Sequence, residues 1–122
     1  MPVSRLHQVN ICSDDVARSA QFYADLLDLE AQNAPGPYPA ESFQWMHNES
    51  GDPIIHLFKH KREQGSTGVI HHIGLDGTGK DKVVDRLKRS GAEFQTRQDE
   101  GGSIIYTKDP HGLMLELYFP GE

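Results

Sequence analysis

The chain has 122 residues, of which 36% are hydrophobic and 25% are charged, and its formal net charge is −6. This length is enough for one compact domain and too short for two large ones. The negative net charge argues against a nucleic-acid or anionic-membrane partner, because those partners need a net basic surface. No apolar run reaches the roughly 20 residues of a membrane span. Because residues 1–10 lack the apolar core of a signal peptide, we expect a cytoplasmic protein.

Cysteine and histidine usage narrows the possible chemistry. Cys12 is the only cysteine, which excludes an internal disulfide and a zinc cluster built from cysteines. Seven histidines are a high number for this length. No segment is low in complexity, so we expect folded elements to present these histidines.

The first predicted elements are a strand and a helix. Residues 5–12 (RLHQVNIC) are typical of a strand. The polar residues Ser13–Asp15 predict a helix N-terminus, because their side-chain oxygens can accept hydrogen bonds from the first amides. An amphipathic helix of about four turns follows, and its apolar residues recur at helical spacing. These residues are Val16, Ala20, Tyr23 and Leu27, supported by Phe22 and Leu26.

The rest of the first half predicts a loop and two strands. Residues 33–40 carry three prolines and predict a loop. Residues 42–47 and 53–59 are typical of strands, and the turn-forming residues 50–53 between them predict a hairpin. Residues 60–68 are polar and show no hydrophobic period, which predicts a linker.

The second half predicts the same kinds of element. Residues 69–75 are typical of a strand, and Thr78 with Asp81 three residues later predicts a capped helix start. Gly91 has the position of a helix C-terminal glycine. The predicted buried face of this helix consists of Val83, Val84 and Leu87. The remaining predicted strands are residues 92–96, 103–108 and 113–119.

The last strand places a carboxylate where a core strand does not favour one. Residues 109–112 (DPHG) predict a tight turn, because proline fixes φ and glycine accepts a positive φ. From Leu113 the residues alternate, so Leu113, Leu115, Leu117 and Phe119 share one face. Glu116 lies on the other face, which is either solvated or occupied by a group that pairs with the charge.

The two halves therefore repeat one module with a period of about 60 to 65 residues. Each module predicts a strand, a helix and three further strands, which indicates an α+β fold. We expect one domain over residues 1–122, with module 1 at about 4–60 and module 2 at about 68–120.

This order of elements resembles the vicinal oxygen chelate superfamily of glyoxalases, bleomycin-resistance proteins and extradiol dioxygenases. Three segments carry the resemblance: DVARSAQFYADLLDLE, HHIGL and DPHGLMLELYF. The resemblance implies two βαβββ modules whose sheets form half-barrels. It also implies one divalent metal per site, with ligands from the first and fourth strands of each module.

The resemblance assigns three of these ligand positions to single residues. His72 precedes Ile-Gly-Leu as the ligand of the fifth strand does in glyoxalases, and Glu116 follows Asp109 at the family's spacing. His56 has the fourth-strand position, although its apolar neighbours are equally compatible with a core histidine. Tyr106 matches a tyrosine of the substrate pocket in ring-cleaving and fosfomycin-modifying members, or is a core tyrosine.

The first ligand position departs from the family pattern. Family members usually read His-Val-Asn-Leu before the helix, whereas this chain reads His7-Gln8-Val9-Asn10-Ile11. Counting back from the helix without a gap places Gln8 at the ligand position, and strand alternation agrees. A β-bulge would turn His7 inward instead.

The implied activity is proton transfer of the lyase or isomerase type on a small substrate with vicinal oxygens, with Glu116 as the base. The mixed ligands suit Fe, Mn, Ni, Co or Zn. The alternatives are an Fe(II) extradiol dioxygenase, which would need His7, and a metal-free protein that sequesters a ligand. We also expect a homodimer, because open half-barrels have unpaired edges that a second chain closes.

Overall fold

The computed structural model describes residue 2 and residues 5–60 and 70–122. The chain divides into two compact units, Met1–Arg62 and Glu63–Glu122, which we call module 1 and module 2. Most of the predicted linker, together with Val69 at the start of a predicted strand, lies outside the described residues. Within the described part of the chain, no helix is long and apolar enough to cross a membrane.

Module 1 contains four strands and one helix. The elements are β1 (Val9–Ser13), α1 (Val16–Leu27), β2 (Glu30–Gln32), β3 (Phe43–His47) and β4 (Pro53–Lys59). The strands form one sheet in the order β1-β4-β3-β2. β1 pairs with β4 in parallel, whereas β3 pairs with both of its neighbours in antiparallel fashion.

Module 2 repeats this topology. Its elements are β5 (His72–Asp76), α2 (Lys80–Ser90), β6 (Gln95–Asp99), β7 (Gly102–Lys108) and β8 (Met114–Pro120). The sheet order is β5-β8-β7-β6, with β5 and β8 parallel and the other pairs antiparallel. The predicted α+β fold of two βαβββ modules is therefore confirmed.

Helix α1 begins and ends as its sequence indicates. Asp15 is the N-cap, and its carboxylate accepts a hydrogen bond from the backbone N–H of Arg18 at 3.1 Å. Asp28 ends the helix in the left-handed conformation with φ 59°. The predicted apolar face is buried at Val16, Ala20 and Tyr23. In the last turn the supporting residue Leu26 is buried, whereas Leu27 is half-buried.

Helix α2 begins differently from its prediction. Thr78 does not cap it; the N-cap is Gly79, which makes no side-chain capping bond. The carboxylate of Glu122 instead accepts hydrogen bonds from the backbone N–H groups of Gly79 and Lys80, at 3.0 and 2.9 Å. The negative charge there also suits the positive end of the helix dipole. At the other end Gly91 has φ 71° and closes the helix as predicted.

Each sheet has one deeply buried face. In module 1 this face packs under α1 and carries Ile11, Met46, Ile55 and Leu57, each at most 7% exposed. In module 2 the leucine face of β8 is buried as predicted, with Leu115 0% exposed. The opposite faces are half-buried and carry the polar residues described below.

Several strands differ from the predictions. β5 begins at His72, so Ile70 and His71 lie before the strand that was predicted over residues 69–75. β1 begins at Val9, so His7 and Gln8 lie before the strand. β6 covers residues 95–99 instead of 92–96. The module repeat implied three strands after α1, but the residues of β2 were not predicted, because all three are exposed and show no alternation of apolar and polar side chains.

Candidate functional site

The polar face of module 2 brings His72 and Glu116 together. β5 and β8 are parallel neighbours in which His72 pairs with Met114 and Gly74 pairs with Glu116, so all four residues share one face. Nε2 of His72 lies 3.5 Å from Oε2 of Glu116, and the two side chains are 37% and 16% exposed. An imidazole and a carboxylate at this separation are a competent pair of metal donors.

The turn before β8 sets the position of Glu116. The buried carboxylate of Asp109 accepts hydrogen bonds from the backbone N–H groups of His111 and Leu113, both at 2.9 Å. Gly112 has φ 87°, as the turn prediction required. The turn thus fixes the residue at which β8 begins and, by alternation, the face on which Glu116 lies.

Tyr118 is a partner of Glu116 that the sequence analysis missed. Its hydroxyl donates a hydrogen bond to Oε2 of Glu116, the same oxygen that faces His72. This carboxylate contact raises the pKa of Tyr118 above its ordinary value, so the phenol stays protonated and remains a donor. The alternation of β8 placed both residues on one face, but it did not predict that the Tyr118 hydroxyl is hydrogen-bonded to Glu116.

His71 contacts the opposite side of the His72 ring. The Nδ1 atoms of the two imidazoles lie 2.8 Å apart and form a hydrogen bond. One of the two nitrogens must therefore carry the proton while the other accepts it. The bond occupies Nδ1 of His72, so Nε2 is the nitrogen left to face Glu116.

Tyr106 lies beside Glu116 on the neighbouring strand. The two residues are direct partners in the antiparallel register of β7 and β8, so both side chains are on the polar face. Tyr106 is half-buried. The guanidinium carbon of Arg97 lies 5.9 Å from the centre of the Tyr106 ring, within the range of a cation–π contact.

His56 lies on the less buried face of the module 1 sheet. Asn10 and Trp45 are its partners in the neighbouring strands β1 and β3. The Trp45 indole stacks on its imidazole with ring centroids 3.9 Å apart and an interplanar angle of 10°. His56 is only 9% exposed.

One ring nitrogen of His56 has no hydrogen-bond partner among the described residues. This atom is Nε2, which is buried. The backbone carbonyl of Pro53 raises the pKa of His56 in part. Burial and, secondarily, the nearby charge of His7 hold that pKa below its ordinary value. The surroundings of His56 thus favour its neutral form, the form in which an imidazole binds a metal ion.

The two candidates for the first ligand contact each other. Nδ1 of His7 is hydrogen-bonded to the side-chain oxygen of Gln8. Gln8 is half-buried, whereas His7 is exposed. Gln8 directly precedes β1, two residues before Asn10, the register partner of His56.

Among the described residues, the acidic, histidine and cysteine side chains of neither module form a complete coordination shell on their own. Within residues 5–60 and 70–122, no group of three or more His, Cys, Asp or Glu side chains is arranged to hold a metal ion. Of the predicted ligands, His56 and Gln8 belong to module 1, and His72 and Glu116 belong to module 2.

Residues 5–117 match the family model for the Glyoxalase/Bleomycin resistance protein/Dioxygenase superfamily. The chain belongs to this superfamily. The match spans nearly the whole chain and covers both modules, so the glyoxalase-superfamily fold accounts for the repeated topology described above. No curated protein matches the chain.

Solved structures of glyoxalase-superfamily proteins share this fold at low sequence identity. A glyoxylase/bleomycin resistance protein/dioxygenase domain from Frankia sp. EAN1pec is 20% identical, with a TM-score of 0.77 over 97% of this chain and 98% of that one. A glyoxalase/dioxygenase from Nostoc punctiforme is 18% identical, with a TM-score of 0.78 over 97% and 92% of the chains. A fosfomycin resistance protein from Listeria monocytogenes, crystallised as a mutant with Mn(II) and 1S,2S-dihydroxypropylphosphonic acid, is 17% identical, with a TM-score of 0.69 over 95% and 92%.

Proposed function

We propose that this glyoxalase-superfamily protein is a divalent-metal-dependent enzyme that catalyses proton transfer on a small substrate with vicinal oxygens. The observation that carries the proposal is the bare Nε2 of His56. Leaving a buried polar atom without a partner costs free energy, so such an atom indicates a ligand that satisfies it. A neutral imidazole nitrogen in this state is suited to a metal ion.

The other proposed donors favour a first-row divalent ion. His72 and Glu116 offer nitrogen and oxygen 3.5 Å apart, and Gln8 offers an amide oxygen. The proposed ligands are His56, His72 and Glu116 with Gln8, or with His7 in its place. A mixed nitrogen and oxygen set without a thiolate suits Fe, Mn, Co, Ni or Zn. The Mn(II) bound to the similar Listeria fosfomycin resistance protein supports this range.

Glu116 is the proposed general base. It is the one carboxylate among the proposed ligands, and its Oε1 makes no hydrogen bond to any described residue, whereas Oε2 meets His72 and Tyr118. When bound, a divalent ion supplies Lewis acidity toward substrate oxygens. Glu116 takes a proton from the carbon beside a substrate carbonyl and returns it to a neighbouring atom, which is isomerase or lyase chemistry. Tyr106, beside Glu116, contacts the substrate.

We further propose that the active form is a homodimer. Each module contributes about half of the proposed ligands, and the superfamily resemblance supports pairing of modules from two chains. Gln8 and His56 of one chain would then share an ion with His72 and Glu116 of the other.

Metal analysis tests the proposal. Protein purified without chelators should hold about one divalent ion per site, and His56→Ala, His72→Ala and Glu116→Ala should each reduce the content. His60→Ala is the matched control, because this exposed histidine lies outside the proposed ligand set. Wild-type protein without metal, or three variants with unchanged content, would refute the metal site and favour a ligand-sequestering protein.

Two further measurements separate assembly from chemistry. Mixing His56→Ala with Glu116→Ala chains should restore some metal sites if chains share them, whereas a monomer in sedimentation would exclude sharing.

Protein loaded with Fe(II) under anaerobic conditions should not cleave catechols when O₂ is admitted. Ring cleavage with O₂ uptake would identify an extradiol dioxygenase instead, with His7 as the missing ligand.

A further inference from the structure

The ring of Tyr118 lies directly over Gly74 of the neighbouring strand. A Cβ atom added at Gly74 would lie 3.1 Å from Cε2 and 3.8 Å from Cδ2 of the Tyr118 ring. Gly74 does not have a positive φ, so its backbone conformation does not require glycine. The close approach of the Tyr118 ring explains the glycine, because any side chain at position 74 would collide with that ring.

This packing directs the Tyr118 hydroxyl back to Glu116. Gly74 is the register partner of Glu116 across the parallel β5–β8 pair, and Tyr118 follows Glu116 by two residues on the same face. With its ring over Gly74, Tyr118 donates its hydroxyl to Oε2 of Glu116. A hydrogen bond to a charged carboxylate is stronger than one between neutral groups, and it restricts the rotation of the acceptor.

We propose that Tyr118 is a positioning residue that holds the Glu116 carboxylate for metal binding, and that Gly74 supplies the space for this contact. The inference rests on the proposed function, since it concerns a proposed ligand. Tyr118 engages Oε2 only, so Oε1 remains without a hydrogen bond to the described residues. The Glu116 carboxylate therefore keeps a fixed orientation, and its Oε1 remains available for the proposed metal binding or proton transfer.

A purely structural role for Tyr118 makes a different prediction. Its ring covers Gly74, so loss of packing would lower the stability of the metal-free protein. A positioning role depends on the hydroxyl oxygen alone. Tyr118→Phe removes that oxygen and keeps the ring, and the two roles therefore separate in one substitution.

The decisive measurement is the affinity of the metal-stripped protein for Mn(II). The loss of the electron paramagnetic resonance signal of free Mn(II) reports the binding. Tyr118→Phe should weaken Mn(II) binding about tenfold or more, the usual effect of removing a group that orients a metal ligand. Its melting temperature without metal should stay close to that of the wild type. Tyr38→Phe is the matched control, because this half-exposed tyrosine belongs to module 1 and packs against Phe43.

A double-mutant cycle tests the role of Gly74. Gly74→Ala should displace the ring and weaken Mn(II) binding in the wild-type background, but it should add little to Tyr118→Phe, which has no hydroxyl to misplace. Additive losses would overturn the assignment of Gly74. Wild-type affinity in Tyr118→Phe would overturn the role of Tyr118 and leave the metal site standing. Absence of Mn(II) binding by the wild type would overturn both the inference and the proposed metal site.

Discussion

The indole of Trp45 stacks face to face on the imidazole of His56, with ring centroids 3.9 Å apart. Trp45 is the only tryptophan in the chain. The intrinsic tryptophan fluorescence of the protein therefore comes from a ring in direct contact with a proposed metal ligand. This contact makes metal binding at His56 observable without any added probe.

We predict that Mn(II) added to the metal-free protein quenches the emission of Trp45. Because the two rings are stacked, a paramagnetic ion bound at Nε2 of His56 would lie close enough to the indole to quench its excited state. His56→Asn should abolish the quenching, whereas the exposed-site variant His60→Asn should retain it. Equal quenching in wild type and His56→Asn would place any bound ion elsewhere.

The stability of the metal-free protein should fall as the pH is lowered through the range just below the ordinary histidine pKa of about 6.5. Burial holds the pKa of folded His56 below its ordinary value, so the unfolded chain takes up a proton at a higher pH than the folded chain does. Protons then favour the unfolded state, and the stability present above the unfolded pKa is lost as pH falls toward the folded pKa.

Urea unfolding of wild type and His56→Asn at several pH values between 7.5 and 5 measures this effect. The wild type should lose more free energy of unfolding across this range than the variant, because asparagine does not titrate. Equal losses in the two proteins would show that His56 does not contribute to the pH dependence.

Removal of the Glu122 carboxylate should destabilise the protein by about 1 kcal/mol, the usual cost of losing a helix N-cap. The carboxylate accepts hydrogen bonds from the backbone N–H groups of Gly79 and Lys80 at the start of α2. Gly79 has no side chain that could accept these bonds instead. The urea midpoint of Glu122→Ala should decrease without a change in slope. Glu100→Ala, at an exposed turn position, should leave the midpoint within error.

Gly102→Ala should destabilise the protein by at least about 2 kcal/mol, because strained backbone conformations alone cost about 1 to 3 kcal/mol. Gly102 has φ 141°, and an added Cβ would lie 2.3 Å from the carbonyl oxygen of Phe119. The neighbouring Gly101→Ala is the control, since its Cβ would make only an ordinary contact with Asp99 at 3.5 Å. Thermal unfolding that ranks both variants equally would contradict this account.

Local sequence patterns predicted the fold where neighbouring residues determine it. The spacing of Leu113, Leu115 and Leu117 indicated the buried face of β8, and Asp15 indicated the start of α1. β2 had no such pattern. The cap of α2 comes from Glu122, more than 40 residues after the amides that it binds, and no local pattern reports such a contact.

The candidate site was predictable only in part for the same reason. The alternation of β8 placed Glu116 on a polar face, and the family resemblance indicated His72. The stacking of Trp45 on His56 depends on the register between β3 and β4, which the sequence does not show. The unpartnered Nε2 of His56 is likewise a property of its three-dimensional surroundings.

The strand order has a consequence for synthesis of the chain. In each module the last strand lies between the first strand and the third. The first and third strands therefore cannot join one sheet until the last strand has been synthesised. β4 is complete at Lys59, and the first sheet can therefore close while the second half is still being translated. The second sheet must wait for β8, which ends at Pro120, and until then β7 exposes an open edge to other nascent chains.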